Sequence, residues 1–333
     1  MKTILDIKTI KMDPKKNQNH YDLAIFTSSF ESRASRITQY KDLNFKKCII
    51  IEFKEEKSRF KRKKNDKLLE NYAKENSEEY EILDCSVTSW MFSLKKMLNK
   101  INDICNLNKL SNIFFDITTC PKFYFCSLLS QFFLWGFGKN YYFFYAQGEY
   151  RWKNKEYKKV FTKSEWNLFP IPGLEGIYDP SKELGFLIST GWESPKVKRV
   201  LSKYFPNQIS LIEADPGFNS RYTELGRQAV EEILKYSSIA GKKYYDSKRM
   251  KAHAGDAEKT FKILLDGLNE NIWGNTDKNW TLLPCGPKPH ALAMAVISLC
   301  IPNLCFVYPT TTGFIVYDAI PTGIDWIYKV FEP

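Results

Sequence analysis

Two stretches of this chain place hydroxyls, small residues and a lysine where an anion could be held: Asp116-Ile117-Thr118-Thr119-Cys120-Pro121-Lys122 and Leu283-Pro284-Cys285-Gly286-Pro287-Lys288-Pro289-His290. In each, a polar turn runs into Pro-Lys and then a long apolar segment. Backbone N–H groups at a helix start, side-chain hydroxyls and one ammonium can converge there on a phosphate. Two shorter runs share that chemistry, Thr27-Ser28-Ser29 followed by Glu31 and Arg33, and Ser189-Thr190-Gly191 followed by Glu193. The glutamates could pair with Arg33 or another arginine, or accept from a ribose hydroxyl. The same residue types are also good helix caps and first-turn residues, and an acid in a first turn is favoured by the helix dipole whatever its function. His290 reads equally as a ligand contact or a first-turn residue.

Other chemistries find less support. The chain has no GxGxxG, GxxxxGK[ST] or GxSxG, which counts against ordinary dehydrogenases, P-loop enzymes and serine hydrolases. Its three histidines show no metal-ligand spacing, and its eight cysteines form no CxxC pair, so they read as buried free thiols. No cofactor is expected, and no catalytic residue can be assigned.

The segments that must carry these turns recur. The strand-turn-helix pattern of Asp22–Ile37 returns in Leu184–Leu201, with Glu31 and Glu193 lying 162 positions apart. The runs ending Ile51-Glu52 and Ile212-Glu213, the two Pro-Lys turns, and the aromatic runs containing Tyr145 and Tyr308 follow in the same order at nearly the same offset. Amphipathic helices are expected around Asn65–Asn76 and Thr223–Tyr236. Strands alternating with helices imply crossovers and parallel sheets. The fold class is therefore α/β, as two tandem Rossmann-like units, each a mostly parallel sheet covered by helices on both faces. Residues 1–150 form the first unit and 183–333 the second. Residues 151–182, rich in Pro, Gly and charge, form a linker or added strands, with a strand or hairpin at Glu156–Thr162. In such sheets the crevice opens at the carboxyl ends of the first and fourth strands. Ser28, Ser29, Glu31, Arg33, Thr118, Thr119 and Lys122 would line it in the first unit, and Gly191, Glu193, Gly286, Lys288 and His290 in the second, the two sets forming one composite pocket.

The formal net charge of +11 comes mainly from the first half. Lys61, Arg62, Lys63 and Lys64, within the basic run Lys54–Lys67, could contact nucleic acid by counterion release, or could be a solvated helix face. No signal-like or membrane-spanning apolar run is evident, so the expectation is a cytoplasmic protein without a membrane partner.

At the Pro-Lys turns the sequence resembles the CRISPR-associated Rossmann-fold sensor superfamily and the related SAVED sensors. In that likeness strand four ends in a Thr-Gly-Gly-Thr-Lys turn, which Thr118, Lys122, Gly286 and Lys288 match by position. Neither copy carries the double glycine. The resemblance implies a cyclic-oligonucleotide or other nucleotide ligand at the strand ends, and a separate effector protein as partner. Three readings follow: a nucleotide-sensing or regulatory component of a prokaryotic anti-phage defence system, an enzyme acting on a nucleotide or nucleic acid, and a nucleic-acid-binding scaffold for an effector.

Overall fold

The computed structural model describes residues 5–10, 19–53, 59–86, 89–107, 110–150, 166–239, 243–244, 250–270, 273, 278–311 and 318–332. By contacts the chain divides into two units, one of Lys8–Lys153 with Val316–Pro333 and the other of Met1–Ile7 with Asn154–Ile315. They are called the first and second unit below, by the order of their main strands.

The first unit is built from β2 (Asn19–Ser28), β3 (Leu43–Phe53), β4 (Ser77–Cys85), β5 (Asn112–Asp116) and β6 (Asn140–Tyr150), with helices α1 (Arg59–Asn76), α2 (Trp90–Leu107) and α3 (Lys122–Leu134) in the crossovers. The five strands pair in parallel in the order β6-β5-β2-β3-β4. Central strands here read as unbroken apolar runs because helices cover both faces. Leu23, Ala24, Ile25 and Phe26 on β2 are all buried, as are Ile113, Phe114 and Phe115 on β5. One face closes on an aromatic cluster of Tyr21, Phe26, Phe45, Tyr72, Phe114 and Phe144, whose rings meet mostly edge-on or tilted, with Tyr21–Phe45 and Phe114–Phe144 stacked, at centroid distances of 5.0–6.4 Å.

The second unit repeats this plan. Its strands are β8 (Glu183–Thr190), β9 (Gln208–Ala214), β10 (Lys243–Tyr244), β11 (Met250–Ala252), β12 (Lys278–Pro284) and β13 (Leu304–Thr311), with helices α4 (Ser194–Tyr204), α5 (Ser220–Ile239), α6 (Ala257–Asn269) and α7 (Lys288–Cys300). Both β10 and β11 pair with β9, and the parallel order continues through β8 and β12 to β13. Each unit therefore has its first strand between its second and fourth. The polar turns after the first and fourth strands are neighbours in both. The helices that follow the fourth strands, α3 and α7, are buried almost all round, as their lack of a polar face requires.

An antiparallel strand is added beside the fifth strand of each sheet. In the second unit it is β7 (Trp166–Pro170), from the linker, paired with β13. In the first it is β14 (Ala319–Phe331), which returns from the chain's end to pair with β6. An edge strand β1 (Asp6–Ile10) lies beyond β14. Residues 183–333 thus hold the parallel strands of the second sheet plus one strand of the first. The strand or hairpin expected at Glu156–Thr162 lies outside the described residues.

Candidate functional site

In the first unit the two polar turns are bonded to one another. The Thr119 hydroxyl donates to the carbonyl of Thr27 at 2.9 Å, and the Thr27 hydroxyl reaches the carbonyl of Asp116 at 3.5 Å. Asp116, fully buried, accepts the Thr118 N–H at 2.8 Å, while the Thr118 hydroxyl accepts the N–H of Ala146 on β6 at 2.9 Å. These bonds fix the turn from behind. Lys122 is the first residue of α3 and is half-buried. The residue before it, Pro121, has no side-chain acceptor to cap the helix, and the first turn carries no acid to offset the dipole. Across the crevice, Ser28 is buried and bonds to Asp66 on α1, and the Asn65 amide donates to the carbonyls of Ser29 and Glu31 at 2.7 and 2.9 Å.

Glu31 and Arg33 are paired. The Glu31 carboxylate accepts from Arg33 Nε at 2.7 Å, and Arg33 Nη1 donates to the Tyr145 hydroxyl at 3.3 Å and the Ala146 carbonyl at 3.2 Å. The guanidinium lies 5.6 Å from the centroid of the Tyr145 ring, within cation–π range. Gly148 makes this possible, because a Cβ there would stand 2.6 Å from Arg33 Cδ. Burial opposes the charged form of Arg33, but Glu31, Tyr145 and Tyr150 more than offset it and hold the pKa above the usual arginine value. The same turn is tied to the returning C-terminal segment: the Ser32 N–H and hydroxyl donate to Asp318 at 2.7 and 2.9 Å, and the Arg33 N–H reaches the Ala319 carbonyl at 3.3 Å.

The second unit brings its two turns together differently. Gly286 packs directly on strand one: a Cβ at this position would collide with Ser189 Oγ and stand 2.9 Å from the Thr190 carbonyl oxygen. Gly191 faces it at ordinary contact distance. His290, fully buried in the first turn of α7, bridges Ser189 Oγ at 3.2 Å through Nδ1 and the His253 carbonyl at 3.1 Å through Nε2. A carbonyl can only accept, so Nε2 carries the proton and Nδ1 accepts from Ser189. An oriented Ser–His pair is the arrangement of an activated nucleophile. Here both side chains are wholly buried under Gly286, and the pair holds the turn. Lys288 opens α7 after Pro287, half-buried, as Lys122 opens α3.

One pairing was not anticipated from the sequence. Glu193 stands at the head of α4, and its carboxylate lies 3.5 Å from Lys196 Nζ. That ammonium is buried over the Tyr308 ring, 5.6 Å from its centroid, the distance seen for Arg33 over Tyr145. Burial again disfavours the charge, and Glu193, Tyr308 and Cys285 reverse this and raise the Lys196 pKa. Lys196 follows Arg33 by 163 positions, the same step as Tyr308 after Tyr145. A basic residue recurring in register with the tyrosines was the available signal.

The remaining candidates fall elsewhere. Lys61, Arg62, Lys63 and Lys64 lie on the first turns of α1, where Lys63 and Lys64 are exposed, and residues 54–58 are outside the described residues. Among the described residues there is no group of side chains suited to hold a metal, and no helix is long and apolar enough to cross a membrane. The described cysteines are free, and burial pushes the Cys48 and Cys126 thiols well above their ordinary pKa. A cavity of about 200 Å³ opens at the amino ends of the second unit's strands, lined by Asp179, Lys182, Trp273, Asn279 and Trp280, away from both polar turns.

No protein-family model matches the chain, and no curated protein sequence matches it. Solved structures do. The structure of a type III CRISPR defence DNA nuclease activated by cyclic oligoadenylate aligns over 91% of this chain and 68% of its own, with a TM-score of 0.50 at 8% identity. That likeness is one of fold. A multidomain structure of adenylation, ketoreductase and pseudo-Asub domains from a keto acid-selecting nonribosomal peptide synthetase module aligns over 84% of this chain and 27% of its own, at 11% identity and a TM-score of only 0.20, too low to indicate a shared fold.

Proposed function

We propose that this chain is a nucleotide-sensing component of a prokaryotic anti-phage defence system, taking an anionic oligonucleotide-type ligand at the carboxyl strand ends of its units. The supporting observation is the pair of Pro-Lys turns. Each opens a buried helix at the strand-order switch point, beside a hydroxyl- or glycine-bearing turn, in a fold shared with a nuclease that cyclic oligoadenylate activates. In this reading the half-buried Ser29, Thr119, Lys122, Gly191 and Lys288 meet the ligand. The buried Ser28, Arg33, Thr118 and His290 hold those turns in place. Glu31 and Glu193 neutralise the cations beside them. The effector is a separate protein.

Calorimetric titration with cyclic and linear oligoadenylates tests this. Losing a hydrogen bond to a charged group weakens binding by about ten- to a hundredfold, so Lys122→Ala and Lys288→Ala should each do so while leaving the unfolding transition in place. Wild-type affinity in both variants would remove the reading. Appearance of cleaved ligand in the same titration would move it from sensor to enzyme.

A further inference from the structure

The cavity at the amino ends of the second unit's strands has apolar walls and a charged rim. Two buried tryptophans, Trp273 and Trp280, make a corner of it, their rings edge to face with centroids 6.0 Å apart. Each is seated on a glycine: a Cβ at Gly267 would collide with the Trp273 ring, and one at Gly185 would stand 2.8 Å from Trp280 Cε3. The Trp273 indole N–H donates to the Leu264 carbonyl at 2.8 Å, whereas the Trp280 N–H meets no acceptor among the described residues. At the rim stand Lys182 and Lys278. The carboxylates they pair with, Asp179 and Glu183, are 3.7 and 3.8 Å away, well beyond the roughly 2.7–2.9 Å of a good charged N–H···O bond. Asp179 is occupied by the N–H and hydroxyl of Ser181 at 3.0 and 2.6 Å, and the Asn279 amide by the backbone of Asp179 and Lys182. What this rim has to offer a guest is therefore donors and positive charge.

We propose that this cavity is a second ligand site, for a small aromatic acid: one ring in the corner between Trp273 and Trp280, and its carboxylate at Lys182 and Lys278. Its volume of about 200 Å³ is right for one ring and a small substituent, since a cavity of about 150 Å³ holds a benzene. Two indoles at right angles suit a flat ring, which can stack on one and meet the edge of the other. Leu268 and Ile301 complete an apolar lining that such a ring fills better than water. An anion answers both ammoniums, and a buried donor without an acceptor is a standing cost that a bound acceptor removes. The cavity reaches the surface beside Ile177, which is 66% exposed. It lies at the strand ends opposite the polar turns, so this ligand is additional to the one proposed above and does not depend on it.

Sodium benzoate, titrated into the full chain and followed by the indole N–H signals in nitrogen-15 NMR spectra, is the probe. The Trp280 signal, identified by its loss in Trp280→Phe, should shift as benzoate binds. Benzamide, of the same shape without the charge, should bind about tenfold more weakly. Lys182→Gln and Lys278→Gln should each weaken benzoate binding about three- to tenfold, and Lys182, the more exposed of the two, keeps the test valid if Lys278→Gln does not fold. Ile177→Trp, at the mouth, should block entry. A Trp280 signal that ignores benzoate overturns the proposal, and so does benzamide bound as tightly as benzoate or an affinity unchanged in both lysine variants. Lys122→Ala and Lys288→Ala should leave benzoate binding as it is. Loss of binding in either would move the probe to the polar turns and overturn the second site while leaving the sensor reading standing.

Discussion

The two units share strand order, polar turns and a glutamate–cation–tyrosine group, and differ in what has been done with the cation. In the first unit the cation is arginine, whose fork makes bonds in fixed directions to Glu31, Tyr145 and Ala146. The strand added beside β6 comes from the chain's end and carries Asp318 and Ala319 onto the same turn. In the second unit the added strand comes from the linker, and the cation is a lysine with a distant carboxylate. Duplicated topology has preserved the placement of charge, while side-chain choice gives one copy a forked guanidinium and the other a single point charge.

The largest expected difference between them is in stability. Removing one member of a well-bonded buried pair costs about 3–5 kcal/mol, so Arg33→Ala should lower the urea unfolding free energy by that order. Lys196→Ala, which leaves behind a carboxylate 30% exposed and so partly solvated, should cost less on the same measurement. Equal losses would erase the distinction between the two cations.

Glycines sharpen it next. Overpacking typically costs about 1–3 kcal/mol, and Gly148→Ala should fall in that range because its new methyl meets Arg33 Cδ. In the Arg33→Ala background most of that cost should vanish, which a double-mutant cycle would measure as coupling between the two positions. Gly286→Ala should cost a similar amount with no such relief, since one of the atoms it meets is the Thr190 backbone oxygen. Absence of coupling between positions 33 and 148 would mean that the Arg33 side chain is not what Gly148 accommodates.

Much of this architecture was legible in the sequence because the signals were long: apolar runs mark β2, β5 and β8, and the Pro-Lys turns mark the starts of α3 and α7. The neighbouring position of first and fourth strands followed from the parallel order alone. The return of β14 to the first sheet was not legible, since nothing in the run Ala319–Phe331 states which strand edge it will meet. Lys196 is not legible in the sequence, because a lone lysine in an amphipathic helix looks like part of its solvated face; only the fold shows it turned inward over Tyr308. The role of His290 is not legible for a similar reason, its partners Ser189 and His253 lying 101 and 37 residues away.

The smallest expected effect is a pH dependence belonging to the second unit alone. His253 is half-buried with its ring against Phe218, its Nδ1 accepts the Gly255 N–H at 3.0 Å, and its carbonyl accepts from His290. Burial lowers its pKa, with Asp256 acting weakly in the opposite sense. The folded state therefore resists a proton that the unfolded chain accepts. Stability from this group is present above the ordinary histidine value of about 6.5 and is lost as the pH falls below it. Protonation would also turn Nδ1 from acceptor to donor and break its bond to Gly255. Amide hydrogen exchange should show faster opening around residues 250–257 on going from neutral to mildly acid pH. The turn at residues 27–33, which has no histidine, should stay unchanged, and His253→Asn should abolish the difference. An equal pH response in both turns would place the titrating groups elsewhere and remove His253 as a distinguishing feature of the second unit.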